Sequence, residues 1–357
     1  MTRRYGVSLL ATVIAGLLPL AAAGQPAEGS GPRTPWGDPD LQGVWTSATY
    51  TPLERPETLG ARAFLTEEEA AQLAALVAED GVDPLRARGV LAAETDEERQ
   101  AVTRQTQENI HYDNAVWLTE EQRKTFSTRR TSLIVDPPDG RIPPRVPEAV
   151  AREAKRRQVS RHLVYNIDEP SYDGYHTRTL QERCLVWRHE GPPMVPPSYN
   201  DMLQIFQTPD HVVVMQEMSN NPPRIIPLDQ PHLPSRIRQW PGDSRGRWEG
   251  DTLVVDTVNF NEKTHYEGST EALRVVERFT RVDAETIRYE FTVQDDRTWA
   301  RPWSVEFPLM KREGPLYEYA CHEGNHDIRH ILEVARNVER QAAEAAQDGD
   351  RAKGGSR

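Results

Sequence analysis

Cysteine is scarce: two residues in 357, so the chain can close at most one internal disulfide and cannot build a thiolate zinc cage or a disulfide-dense scaffold. No Cys-x-x-Cys pair, Gly-rich nucleotide loop, Walker sequence or Gly-x-Ser-x-Gly elbow occurs, which removes the c-type haem, nucleotide and serine-hydrolase readings. A basic block is missing too. Lys and Arg number 43 against 55 Asp and Glu, and a formal charge of −12 makes nucleic acid or an anionic lipid surface a poor partner. After the first 23 residues no apolar run is long enough to span a membrane. Proline and glycine are plentiful, 28 and 22, and with a mean hydropathy of −0.70 they predict many turns and extended segments, hence a mainly β chain.

Residues 1–23 carry the marks of a secretory signal peptide: Arg3 and Arg4, an apolar stretch from Val7 to Leu20, and the small residues Ala21 to Ala23. Their removal leaves a still more acidic chain in a periplasmic or secreted setting, where Cys184 and Cys321 pair as a disulfide. A metal thiolate is the rival reading, because His322 follows Cys321 directly.

Residues 24–40, rich in Gly and Pro, are expected to be a linker, and Leu41 to Thr46 a first strand. A single β-barrel domain is expected over 41–345, with a helical insertion at about 64–130. Thr66-Glu67-Glu68-Glu69 is a capping box, repeated at Thr119 to Gln122, and the charged residues 80–112 between them read as a surface loop or lid. Residues 131–145 read as a strand entering a proline-rich turn, and 147–161 as a polar helix with Arg156 and Arg157. From about residue 202 the apolar period becomes two. Strands are expected at Leu203–Gln207, His211–Met218, Arg224–Leu228, Thr252–Phe260, Leu273–Val282, Thr286–Val293, Trp303–Leu309 and Leu316–Ala320. Their short turns predict sequential antiparallel pairing without parallel crossovers, in a closed or nearly closed barrel. A last helix over 327–345, with Ile328, Ile331, Leu332, Ala335 and Val338 on one stripe, should pack on that barrel, and 346–357 should be disordered.

Alternation also locates chemistry. Glu217 shares a face with Val213 and Met215, Asp256 with Val254 and Val258, and Glu277 with Val275 and Phe279. Carboxylates among apolar neighbours have raised pKa values suited to acid–base work, unless arginines such as Arg274, Arg278 or Arg281 neutralise them. His322 and Glu323, at the start of the last helix, are a possible acid–base pair or substrate anchor at the barrel rim. Arg247, Trp248 and His265 are candidate substrate-binding residues. His322-Glu323-Gly324-Asn325-His326 matches the His-Glu-x-x-His pattern, but that chemistry needs both imidazoles on one helical turn, and Gly324 and Asn325 interrupt it. No cofactor is expected. The alternative is one divalent metal on His322 and His326.

Four phrases are long enough to be compared. They are Asp38 to Trp45 (DPDLQGVW), Arg130 to Arg141 (RTSLIVDPPDGR), Gly242 to Asp256 (GDSRGRWEGDTLVVD) and Tyr317 to Asn325 (YEYACHEGN). They resemble a large family of exported bacterial proteins, which implies export and brings no catalytic residue. His326 departs from that pattern, where an aromatic residue is usual. Gly43-Val44-Trp45 is similar to the opening strand of lipocalin-type barrels, whose Trp plugs one end, so a lipocalin-like antiparallel barrel with a helical insertion and a C-terminal helix is implied. The expected function is an exported lyase, hydratase or isomerase acting on a hydrophobic or glycosidic small molecule by carboxylate and imidazole chemistry. A non-catalytic small-molecule-binding protein and a metal-dependent hydrolase or oxidase centred on His322 are the alternatives.

Overall fold

The computed structural model describes residues 31–79, 82, 87–103, 128–159, 171–186, 190–197, 200–217, 219, 223–261, 263 and 266–354. The expected signal peptide, the capping box expected at Thr119 and the candidate His265 lie outside them. Ten strands form one sheet: β1 (Gly43–Thr46), β2 (Ile134–Asp136), β3 (Met202–Gln207), β4 (His211–Gln216), β5 (Arg224–Pro227), β6 (Asp243–Glu249), β7 (Thr252–Val258), β8 (Arg274–Arg281), β9 (Thr286–Gln294) and β10 (Trp303–Arg312). Their spatial order is β5-β4-β3-β1-β10-β9-β8-β7-β6, each neighbouring pair antiparallel, with β2 added beside β10. β1 lies between β3 and β10, so the first strand joins two meanders.

The ends of this order, β5 and β6, meet at a seam that nearly closes the barrel. The parallel bridge Leu228 to Gly246 and the 2.9 Å bond from the Asp229 amide to the Gly246 carbonyl hold it. Residues 228–242 cross from one end of the barrel to the other to make this contact. A parallel crossover therefore exists where only hairpins were expected. Gly246 is required there: a Cβ would stand 2.7 Å from Leu228 Cδ2 and 3.1 Å from Ile226 Cγ2.

Alternation turns Leu203, Ile205, Val212, Val214 and Ile226 inwards on one side and Phe279, Tyr289, Phe291, Trp303 and Phe307 on the other, all in one core. The aromatic rings form a continuous wall, with centroids 4.8 Å apart for Phe279 and Tyr289, 5.1 Å for Tyr289 and Phe307, and 6.2 Å for Phe291 and Trp303. Each such burial stabilises by roughly 1.5–3 kcal/mol. One barrel end is shut by Trp45, fully buried, whose indole donates to the Leu41 carbonyl at 3.0 Å and lies 4.6 Å beneath the Arg281 guanidinium.

The described part of the expected linker is not free chain. Residues 31–40 fold back on themselves through an Arg33–Pro39 bridge and cover the closed end, where Arg281 donates to the Asp40 carbonyl at 2.9 Å. The insertion contains α1 (Glu67–Val77), with its capping box formed, and α2 (Asp96–Thr103). Within the described part of the surface loop expected at 80–112, residues 96–103 are the helix α2, which starts at a second reciprocal pair, Thr95 with Glu98. Tyr50, Leu65, Leu73, Val77, Val82, Val90 and Leu91 give the insertion its own small core. α3 (Pro147–Val159) follows as expected, the side chains of Arg156 and Arg157 lying outside the described residues.

Three C-terminal expectations fail. Leu316–Ala320 is not a strand: β1 and β9 already occupy both edges of β10, leaving this segment no partner, and Tyr317 is 74% exposed. α4 (Asp327–Gly354) runs through most of the tail expected to be disordered, and its apolar stripe is not docked, with Ile328, Ile331 and Leu332 only half-buried and Val338 exposed. Cys184 and Cys321 are bonded, with Cα atoms 5.8 Å apart, and tie the approach to α4 to the 171–186 segment. Among the described residues no helix is long and apolar enough to cross a membrane.

Candidate functional site

Inside the barrel lies a fully buried carboxylate, Glu277. β8 turns it inwards beside Val275 and Phe279, completely buried, and such a charge requires a partner. Arg224, facing inwards from the start of β5, reaches across the interior and grips both carboxylate oxygens, at 2.9 and 3.0 Å. Tyr289 from β9 donates its hydroxyl to Glu277 Oε1 at 2.7 Å and accepts the Met194 amide at 3.1 Å. Burial raises the Tyr289 phenol well above its ordinary range, the Glu277 charge adding to the effect, so it stays a proton donor. Met194 belongs to the Glu190–Pro197 loop, which thereby lies over this network.

The other two acids expected in a common hollow are elsewhere. Asp256 alternates with the inward Val255 and Thr257 and points out of the barrel. Burial pushes its carboxyl up, but the paired bonds from Arg274, at 2.9 Å each, and the nearby His232 bring it below the usual range. The apolar companions that placed Asp256 inside, Val254 and Val258, are themselves on the outer face. Glu217 follows β4 at the rim, its amide bonded to the Met202 carbonyl. Burial holds its carboxyl above the ordinary range, and the charge of Asp201 adds to this. The three carboxylates therefore occupy interior, rim and exterior.

The remaining candidates are also dispersed. His322, Glu323 and His326 are exposed, beyond the last barrel strand. α4 begins at Asp327, whose amide is capped by Asn325 Oδ1 at 3.0 Å, so the His-Glu-x-x-His stretch precedes the helix and its imidazoles do not share a helical turn. Among the described residues no group of three or more His, Cys, Asp or Glu side chains is placed to hold a metal ion. Arg247 faces outwards and pairs with Glu249 at 2.6 Å. Trp248 faces inwards against the core, its indole nitrogen without a hydrogen-bond partner among the described residues.

Space is found on the seam. A groove of 680 Å³ is bounded by Arg224 and Ile225 of β5, by Leu233, Arg238 and Trp240 of the crossover, and by Asp243 and Arg245 of β6. Asp243, buried, accepts from the Leu233 amide at 2.8 Å, His232 Nδ1 at 2.9 Å and Arg245 at 2.9 Å. His232 Nε2 stands 3.5 Å from Asp256. This imidazole pins the crossover to β6 and β7, giving the groove a fixed wall. Arg224 lines the groove and also holds Glu277, so it links the groove to the interior network.

No family model, curated protein or solved structure matches the chain. The residues missed at sequence level are Arg224, Tyr289, His232, Arg238 and Asp243. One signal was available for Arg224: in Arg224-Ile225-Ile226-Pro227 it has the parity of the buried Ile226, which places a guanidinium in the same interior as Glu277.

Proposed function

We propose that the protein is exported and binds a small molecule in the groove along the β5–β6 seam. The observation that carries the reading is the groove itself: 680 Å³ lies within the range of small-molecule sites, roughly 300–1,000 Å³, and its walls mix apolar side chains with a few fixed polar ones. Binding is favoured over carboxylate catalysis by the pairing of the acids. Two bonds from Arg274 help to hold Asp256 below its usual range, which opposes the proton uptake a general base requires, and Glu277 has its oxygens occupied by Arg224 and Tyr289. The features of residues 1–23 and the Cys184–Cys321 bridge support an oxidising, exported setting.

A catalytic role of lyase or isomerase type has one observation on its side. Arg224 joins the groove to a buried carboxylate and phenol, and its held guanidinium is placed to stabilise negative charge developing on a bound molecule. Mass spectrometry under native conditions, on protein purified from its own host, tests the primary reading. A bound small molecule is expected, and Ile225→Trp, which fills the groove from an exposed position, should displace it. A molecule retained equally by Ile225→Trp, or none at all, would contradict seam binding.

A further inference from the structure

The chain is acidic overall, at −12, yet the groove is lined by three guanidinium groups and one carboxylate. Two of these guanidiniums are already engaged: Arg224 with Glu277, and Arg245 with Asp243 and the Pro231 carbonyl. Arg238 is different. Its Nη1 donates to the backbone carbonyls of Phe260 and Glu271, both at 3.0 Å, which fixes the side chain, and it forms no ion pair with a carboxylate among the described residues. The Glu271 carboxylate feels the Arg238 charge, but its direct bond, at 2.7 Å, is to Arg297. The one groove carboxylate among the described residues, Asp243, has its oxygens taken by His232, the Leu233 amide and Arg245. A held guanidinium with donors to spare, beside Ile225, Leu233 and Trp240, is the arrangement that recognises an anion with an apolar body.

We infer that the seam groove selects a small organic carboxylate, its carboxylate meeting Arg238 and its apolar body lying against Ile225, Leu233 and Trp240. The inference rests on the seam as the binding site and adds the ligand class. The acidic exterior then serves selectivity, because an anion finds a favourable potential only where the guanidiniums converge.

Calorimetric titration with cinnamate and with its neutral amide, cinnamamide, tests it. Cinnamate should bind at least about tenfold more tightly, with affinity falling as salt is added. Arg238→Gln should abolish the preference, while Arg238→Lys, which keeps the charge, should retain part of it and controls for loss of the two backbone bonds. Equal affinity for acid and amide would overturn the carboxylate assignment and leave the seam site standing. A preference for cinnamate unchanged in Arg238→Gln would overturn it as well. If neither probe binds, both the assignment and the seam site fail.

Discussion

Arg224 is the residue on which the interior depends, because among the described residues it alone pairs with a carboxylate that has no access to solvent. Arg224→Met should lower the unfolding free energy by about 3–5 kcal/mol, the typical cost of stranding one partner of a buried pair. Adding Glu277→Leu to Arg224→Met should restore much of that loss in urea denaturation; additive losses would show that the pair does not act as a unit. Glu217 behaves oppositely. Burial raises its native pKa above the unfolded value, so the stability it contributes is present below the unfolded pKa and is lost as pH rises through the native one. Glu217→Gln should therefore stabilise the protein at neutral pH and lose that advantage in acid, as followed by urea midpoints across the range. A constant difference at all pH values would exclude the burial argument. At this scale the reading of alternation found Glu277 but misplaced Asp256, since both faces of β7 carry buried aliphatic residues: Val254 and Val255 are each fully covered, and parity with an apolar residue no longer tells inside from outside.

Among the elements, the seam is the most exacting. Gly246→Val places two methyl groups where Leu228 and Ile226 already lie, and should cost about 1–3 kcal/mol while loosening the seam amides, visible as faster hydrogen exchange at Asp229. Unchanged exchange there would mean that the seam tolerates separation. β3, β4, β5 and β7 to β10 were legible because each alternates apolar residues against turn residues. β6 was not: its inward residues are Ser244, Gly246 and Trp248, and a strand facing a tight seam has no apolar row to announce it. Leu316–Ala320 misled in the other direction, having the pattern of a strand but no vacant edge to join. The groove was illegible for a related reason, since it forms between a strand and a crossover whose contact is parallel and separated in sequence.

For the whole molecule, the Cys184–Cys321 bridge encloses β3 to β10 in a loop with a sequence separation of 137. Reduction should destabilise the barrel by about 2–5 kcal/mol and release α4, whose half-buried stripe has few other ties, to proteolysis ahead of the strands. An unshifted urea midpoint on reduction would contradict this. The same architecture closes one barrel end with Trp45 and Arg281, fills the interior with aromatic and aliphatic walls, and leaves the 680 Å³ groove outside, on the seam. That placement is most directly tested by a crystal structure of the protein isolated from its own host with no ligand added. Density for a small molecule between Arg238, Trp240 and Ile225 is the expected result; density confined to the barrel interior, with the seam empty, would contradict it.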